Sequence, residues 1–171
     1  ASALEARQEL AEQEFLDDMQ RRLAHKLEGA TLIRNARVFD SEHARLNPAS
    51  NVLVRDGRIV SVDSPANSVA AQVFDAGGRV LLPGLFDMHG HVDRWDGGLH
   101  LAAGVTSVRD MGNDNAELQQ VMAEQASGRL LMPQIIPTGF IEGESPMSAR
   151  NGFVIKDLDG ARKAIDWYAA H

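Results

Sequence analysis

The sequence contains no cysteine. That absence rules out disulfides and thiolate metal sites, and leaves histidine, carboxylate or modified lysine as the side chains able to hold a metal ion. No apolar run approaches the roughly 20 residues that a membrane-spanning helix needs. The first residues also lack the basic-then-apolar order of a signal peptide. The chain begins Ala-Ser-Ala rather than with methionine, so an upstream segment is expected to have been removed, and an exported or periplasmic origin is slightly favoured over a cytoplasmic one. Positive charge is in deficit: 17 basic residues face 24 acidic ones, a net charge of −7. With no basic cluster, nucleic acid and anionic membrane are disfavoured as partners.

What the sequence does contain is concentrated in residues 79–93. An apolar strand passes through Pro83-Gly84 into Asp87, His89 and His91. Strand side chains alternate faces, so His89 and His91 project from one side, about 6–7 Å apart along the strand. Two imidazoles at that separation can converge on one divalent cation, which accepts imidazole nitrogen at about 2.0–2.1 Å when it is zinc. A catalytic site needs more than two ligands, so the pair is at most half a metal centre. Six histidines in 171 residues will sometimes fall two apart by chance. The placement at the C-terminal end of a strand, where α/β barrels gather their chemistry, favours ligation.

The Pro83, Gly84, Asp87, His89 and His91 pattern resembles the Pro-Gly-x-x-Asp-x-His-x-His signature of the metal-dependent amidohydrolase superfamily. The phrase Ala-Ala-Gly-Val-Thr-Ser-Val-Arg-Asp at residues 102–110 is similar to that family's second barrel strand. The resemblance implies an α/β fold: the N-terminal part of a TIM-like (β/α) barrel, preceded by a small β-sandwich module and an N-terminal amphipathic helix. It implies a divalent metal, most simply Zn2+, as one or two ions in the complete enzyme. Its remaining ligands would be a lysine on strand four, histidines on strands five and six, and an aspartate on strand eight that also serves as general base. None of these is included in the sequence. The implied activity is hydrolysis of a C–N bond in a small amide or dipeptide-like substrate. The short connection after the first strand and the Arg-Asp-Met-Gly phrase point toward a prolidase-like or N-acyl-amino-acid-cleaving member.

Three segments are expected. Residues 1–29 read as an amphipathic helix with an i, i+4 ladder of Ala11, Phe15, Met19, Leu23 and Leu27, Leu16 beside it, and Gly29 closing it. Acidic residues in its first half and Arg21, Arg22 and Lys26 in its second suit the helix dipole. Packing on its own domain is favoured over a dimerisation face. Residues 30–82 read as an incomplete β-sandwich module with strands Thr31–Phe39, Asn51–Arg55, Arg58–Asp63 and Gln72–Leu82. Asp56-Gly57 is a type I′ hairpin signal, because that turn needs positive φ at both positions. Residues 83–171 read as the first three βα units of a truncated barrel, since a complete one takes about 250 residues. Its second strand is Val105–Met111, a helix over 116–127 is capped by Asp114 or Asn115, a third strand covers 134–139, and a helix covers about 160–170.

Among the other candidates, Asp87 is expected to orient a ligand histidine through its second ring nitrogen, or else to cap backbone amides at the barrel mouth. Arg109 and Asp110 end the second strand. Adjacent strand residues face opposite ways, so only one, with Arg109 the catalytic candidate, can face the pocket while the other makes a structural ion pair. Arg150, in the loop Gly139–Gly152, is the substrate-binding candidate, able to grip a carboxylate in a bidentate fork. Its competing reading is an exposed loop arginine. His100 reads as a helix-surface histidine, and His25, His43 and His171 as surface residues. Trp95 either lines the pocket mouth or plugs a seam. The competing reading for the chain as given is a non-catalytic piece that binds metal weakly, and that self-associates or pairs with a missing C-terminal portion because open sheet edges expose unpaired backbone.

Overall fold

A computed structural model describes residues 2–25, 27–149 and 151–171. The substrate-binding candidate Arg150 lies outside the described residues. The chain divides into two compact units, residues 25–83 and residues 1–24 together with 84–171.

The first unit is one five-stranded sheet. Strand β1 (Ala30–Asp40) pairs antiparallel with β2 (Arg45–Arg55), which pairs with β3 (Arg58–Ser61). On its other side β1 runs parallel to β4 (Gln72–Asp75) and then to β5 (Val80–Leu81). The strand expected over 72–82 is thus two short strands separated by the Gly77-Gly78 turn, both lying along β1. Asp56 and Gly57 have φ of 51° and 71°, the conformation a type I′ turn demands. Thr31, Leu32, Ala36 and Val52 are buried, whereas Ile59, Val60, Val73 and Phe74 are exposed. Among the described residues this unit holds a single sheet, and the second sheet that a sandwich requires is not among them.

Strand β1 carries a bulge at Asn35, which adopts φ of 53° where the register with β2 shifts. Asparagine tolerates this left-handed conformation better than most residues. Its side-chain amide donates to both carboxylate oxygens of Asp75 at 3.0 Å. That amide, together with the Gly77 N–H, holds the Asp75 carboxyl below its ordinary value of 3.8.

The second unit contains a three-stranded parallel sheet in the order β6 (Leu85–Gly90), β7 (Val105–Asp110), β8 (Gln134–Pro137). Helix α2 (Asp96–Ala102) connects the first pair and α3 (Asn115–Ala126) the second. Parallel strands in consecutive order with helical crossovers are compatible with part of a TIM-like barrel. Asp114 caps α3 by accepting from the amides of Ala116 and Glu117 at 3.0 Å. Asp157 caps α4 (Leu158–Ala170) by accepting from Gly160. The stretch read as a loop contains β9 (Ile141–Gly143), which pairs in parallel with β10 (Phe153–Ile155).

Helix α1 (Ala3–Leu23) belongs to this second unit and opens with a capping box between Ser2 and Glu5. Its expected stripe is corrected by the structure. Leu16, at 2% exposure, is its core residue, packed with Val92, Val108, Val121 and Ile135, while Phe15 and Leu23 are more than half exposed. The helix stops at Leu23, so Leu27 is not on it, and of the ladder counted from Ala11 Met19 packs against the core beside Leu16 while Ala11, Phe15 and Leu23 are exposed. Phe15 instead stacks on Trp95 with ring centroids 5.6 Å apart. Arg94 donates to Gln13 and Glu124 at 2.7 Å each and joins α1 to α3.

Leu16→Ala is expected to destabilise the chain by about 2–5 kcal/mol, the usual range for a large-to-small change in a packed core. Leu4→Ala, at an exposed position on the same helix, should stay within about 0.5 kcal/mol. Urea denaturation of the two variants checks the contrast.

Candidate metal centre

Strand β6 delivers the histidine pair, but not by simple alternation. Asp87 lies opposite Val108 and Gly90 opposite Asp110, so β6 uses one residue more than β7 over this interval and bulges at Met88–His89. His91 lies beyond the end of the strand. The two rings nevertheless meet, with centroids 5.6 Å apart and planes inclined by 68°. Turn chemistry after the strand, rather than strand parity, brings them together.

That chemistry is a set of hydrogen bonds between the ends of β6 and β7, to which Asn151 adds a side-chain amide donating to the Gly112 carbonyl at 3.4 Å. His91 Nδ1 lies 2.6 Å from the carbonyl oxygen of Gly112. A carbonyl only accepts, so Nδ1 carries the proton, and in the neutral ring Nε2 then keeps a lone pair. Gly112 has φ of 146°, a conformation rarely open to other residues, and its N–H donates to Asp110 Oδ1 at 3.0 Å. The other oxygen of Asp110 accepts from the amide of Val92, the residue after His91, at 2.8 Å. The Asn113 side chain donates to the carbonyl of Val92 and to Asp110 Oδ2. Asp110 is 1% exposed. A further bond runs from Met111 N–H to the Gly90 carbonyl at 2.9 Å.

Asp87 does not orient either ring of the pair. Its Oδ1 accepts the His89 backbone amide at 3.0 Å, the amide-capping alternative, and its Oδ2 lies 3.6 Å from Nε2 of His100. His100, read as a helix-surface residue, is partly buried. Its Nδ1–H donates to the Asp96 carbonyl at 2.9 Å, which turns the other nitrogen toward Asp87. Arg109 makes no ion pair among the described residues and donates instead to the Met88 carbonyl at 2.8 Å, bracing the bulge. Asp110 likewise forms no ion pair, because backbone and amide donors saturate its carboxylate. Its role is legible afterwards in Asp-Met-Gly-Asn, a turn in which an aspartate accepts from the amide two residues on.

Among the described residues, no three histidine, aspartate or glutamate side chains come together as a metal-binding group. The donor set does fit part of one: two adjacent imidazoles, one with its tautomer fixed by a carbonyl, as metal-binding histidines usually are. Clefts of about 730 Å³ between α1, Trp95 and α3, and of about 250 Å³ beside Tyr168, do not include His89 or His91.

Comparison with known proteins adds to this. The chain is 36% identical over 105 residues to the dihydroorotase of Streptococcus pneumoniae serotype 4 (strain ATCC BAA-334 / TIGR4), which is 56% of this chain and 25% of that protein. It is 33% identical over 125 residues to the dihydroorotase of Solibacter usitatus (strain Ellin6076), 64% of this chain and 29% of that protein. The fold matches a solved Xaa-Pro dipeptidase with bound methionine in its active site, with a TM-score of 0.68, 17% identity, and coverage of 83% of this chain and 45% of that one. No family model matches. The matches support membership of the metal-dependent amidohydrolase superfamily, and the chain spans roughly a quarter of the length of the curated relatives it matches.

The glycine of the Pro-Gly step has a packing reason, since a Cβ on Gly84 would fall inside the Thr106 side chain on the neighbouring strand. Gly84→Ala should therefore cost about 1–3 kcal/mol through overpacking. A Thr106→Ala, Gly84→Ala double variant should recover part of that loss in the same urea titration.

Proposed function

We propose that residues 1–171 supply the first part of the active site of a metal-dependent hydrolase that cleaves a C–N bond, amide or peptide-like, with water. The observation that carries this reading is the His89–His91 pair, with Nδ1–H of His91 committed to the Gly112 carbonyl and Nε2 left as a donor of electrons. His89 and His91 would hold a divalent cation, with zinc suited to imidazole, and further ligands would come from elsewhere in the complete enzyme. Such a cation would lower the pKa of bound water to about 7 and polarise a carbonyl.

The chain's own residues do the placing. Arg109 holds the Met88 carbonyl and Asp87 holds the His89 amide, so the backbone entering the pair is fixed on both of its polar groups. The name of the Xaa-Pro dipeptidase neighbour supports a small dipeptide-like substrate, and Arg150 remains the proposed carboxylate grip. In the natural polypeptide containing residues 1–171, loaded with zinc and assayed on dipeptides and N-acyl amino acids, His91→Ala is expected to lower kcat/KM by about 10³-fold, or roughly 4 kcal/mol. Undiminished hydrolysis by that variant would sink the proposal.

A second reading concerns the 171-residue chain by itself. Among the described residues β6 and β8 are the edges of the parallel sheet, and Leu85, Phe86 and Met88 on β6 are all more than half exposed. An apolar, unpaired edge favours association. Self-association, or pairing with further barrel strands, is accordingly proposed, with only weak metal binding by the isolated chain. Light scattering coupled to size exclusion should show a mass that rises with concentration, and a monomer at every concentration would contradict the edge argument.

A further inference from the structure

We infer that Asp110 and Asn113 act as a positioning pair that sets the tautomer of His91 from behind, through backbone groups, without touching its ring. The inference rests on the proposed metal reading only for its consequence, not for its geometry. Asp110 Oδ2 takes the N–H of Val92 and Asn113 Nδ2 gives to the Val92 carbonyl, at 2.8 and 2.6 Å. Both backbone polar groups of the residue that follows His91 are therefore fixed by one short turn. The same carboxylate takes the Gly112 N–H through Oδ1, and it is the Gly112 carbonyl that receives His91 Nδ1–H. A single buried carboxylate thus fixes the backbone beside the imidazole and the peptide plane next to its acceptor. Loosening either arm frees the ring to take the Nε2–H form, which presents a donor where a cation needs a lone pair.

Asparagine at position 110 keeps the shape but offers one acceptor oxygen where the carboxylate offers two, so one of the Val92 and Gly112 amides loses its partner. Alanine at 113 removes the bond to the Val92 carbonyl. The test is a long-range 1H–15N spectrum of the 15N-labelled 171-residue chain at neutral pH, which reads each histidine's tautomer from its two ring nitrogens. His91 should be Nδ1–H in the parent. It should become a mixture with Nε2–H in Asp110→Asn, and to a smaller extent in Asn113→Ala. His100, whose Nδ1–H is bound to the Asp96 carbonyl outside this network, should keep its pattern in both, which separates positioning from general loss of structure.

Titration with Zn2+ alone should show half-saturation at a concentration raised about tenfold or more in Asp110→Asn. An Nε2–H form of His91 in the parent, or an unchanged His91 in both variants while the His100 pattern persists, overturns the inference. If Asp110→Asn loses the His100 pattern, Asn113→Ala decides alone: a mixed His91 upholds the inference and an unchanged one overturns it. A parent that binds no Zn2+ yet shows the tautomer change in the variants overturns the weak metal binding proposed for the isolated chain and upholds the positioning.

Discussion

The carboxylate of Asp110 joins the ends of β6 and β7, and the placement of His91 follows from that junction. Parallel neighbours are tied along their length by slanted ladder bonds, but those bonds end where the strands end. Beyond Gly90 and Asp110 the chain has no ladder to fix it. Asp110 replaces the ladder with side-chain acceptors for Val92 and Gly112, and Asn113 extends the replacement to the Val92 carbonyl. His91 lies beside this clasp, and its ring is tied to it through Nδ1 and the Gly112 carbonyl.

Much of this arrangement is legible in the chain because it depends on local chemistry. The Asp56-Gly57 turn, the Asp114 and Asp157 helix caps and the parallel β7 and β8 strands each follow from a few adjacent residues whose conformational preferences agree. The nearness of His89 and His91 is legible for the same reason, since two residues apart in an extended segment cannot be far apart in space. The superfamily likeness adds the identity of the neighbouring strands. It adds nothing about which side chain holds which.

The features that escaped a sequence reading depend on contacts between distant segments. Leu16 is the core residue of α1 because Val92 and Val108 lie under it, and the ladder through Phe15 is the more regular of the two apolar patterns. His100 looked superficial because α2 is short and polar, yet it is packed against Asp87 from the preceding strand. Strands β9 and β10 are three residues each, too short to show a period, and exist because they pair with each other. The bulge in β6 is likewise a property of two strands. It takes the register against β7 to reveal that one contains an additional residue.

Magnitudes indicate what the Asp110 network is for. Removing a carboxylate from water costs several kcal/mol even after the protein relaxes around it. Hydrogen bonds to charged groups return about 1.5–3 kcal/mol each, so the bonds from Val92, Gly112 and Asn113 are of a size to offset that cost and leave little surplus. An apolar side chain at position 110 would leave the Val92 and Gly112 N–H groups without this acceptor, at a cost of about 1–3 kcal/mol for each buried donor left unsatisfied. A group that is nearly neutral in energy yet fixes three directed bonds contributes geometry. Here the geometry it fixes is the orientation of the Gly112 carbonyl and, through it, the nitrogen that His91 leaves unprotonated.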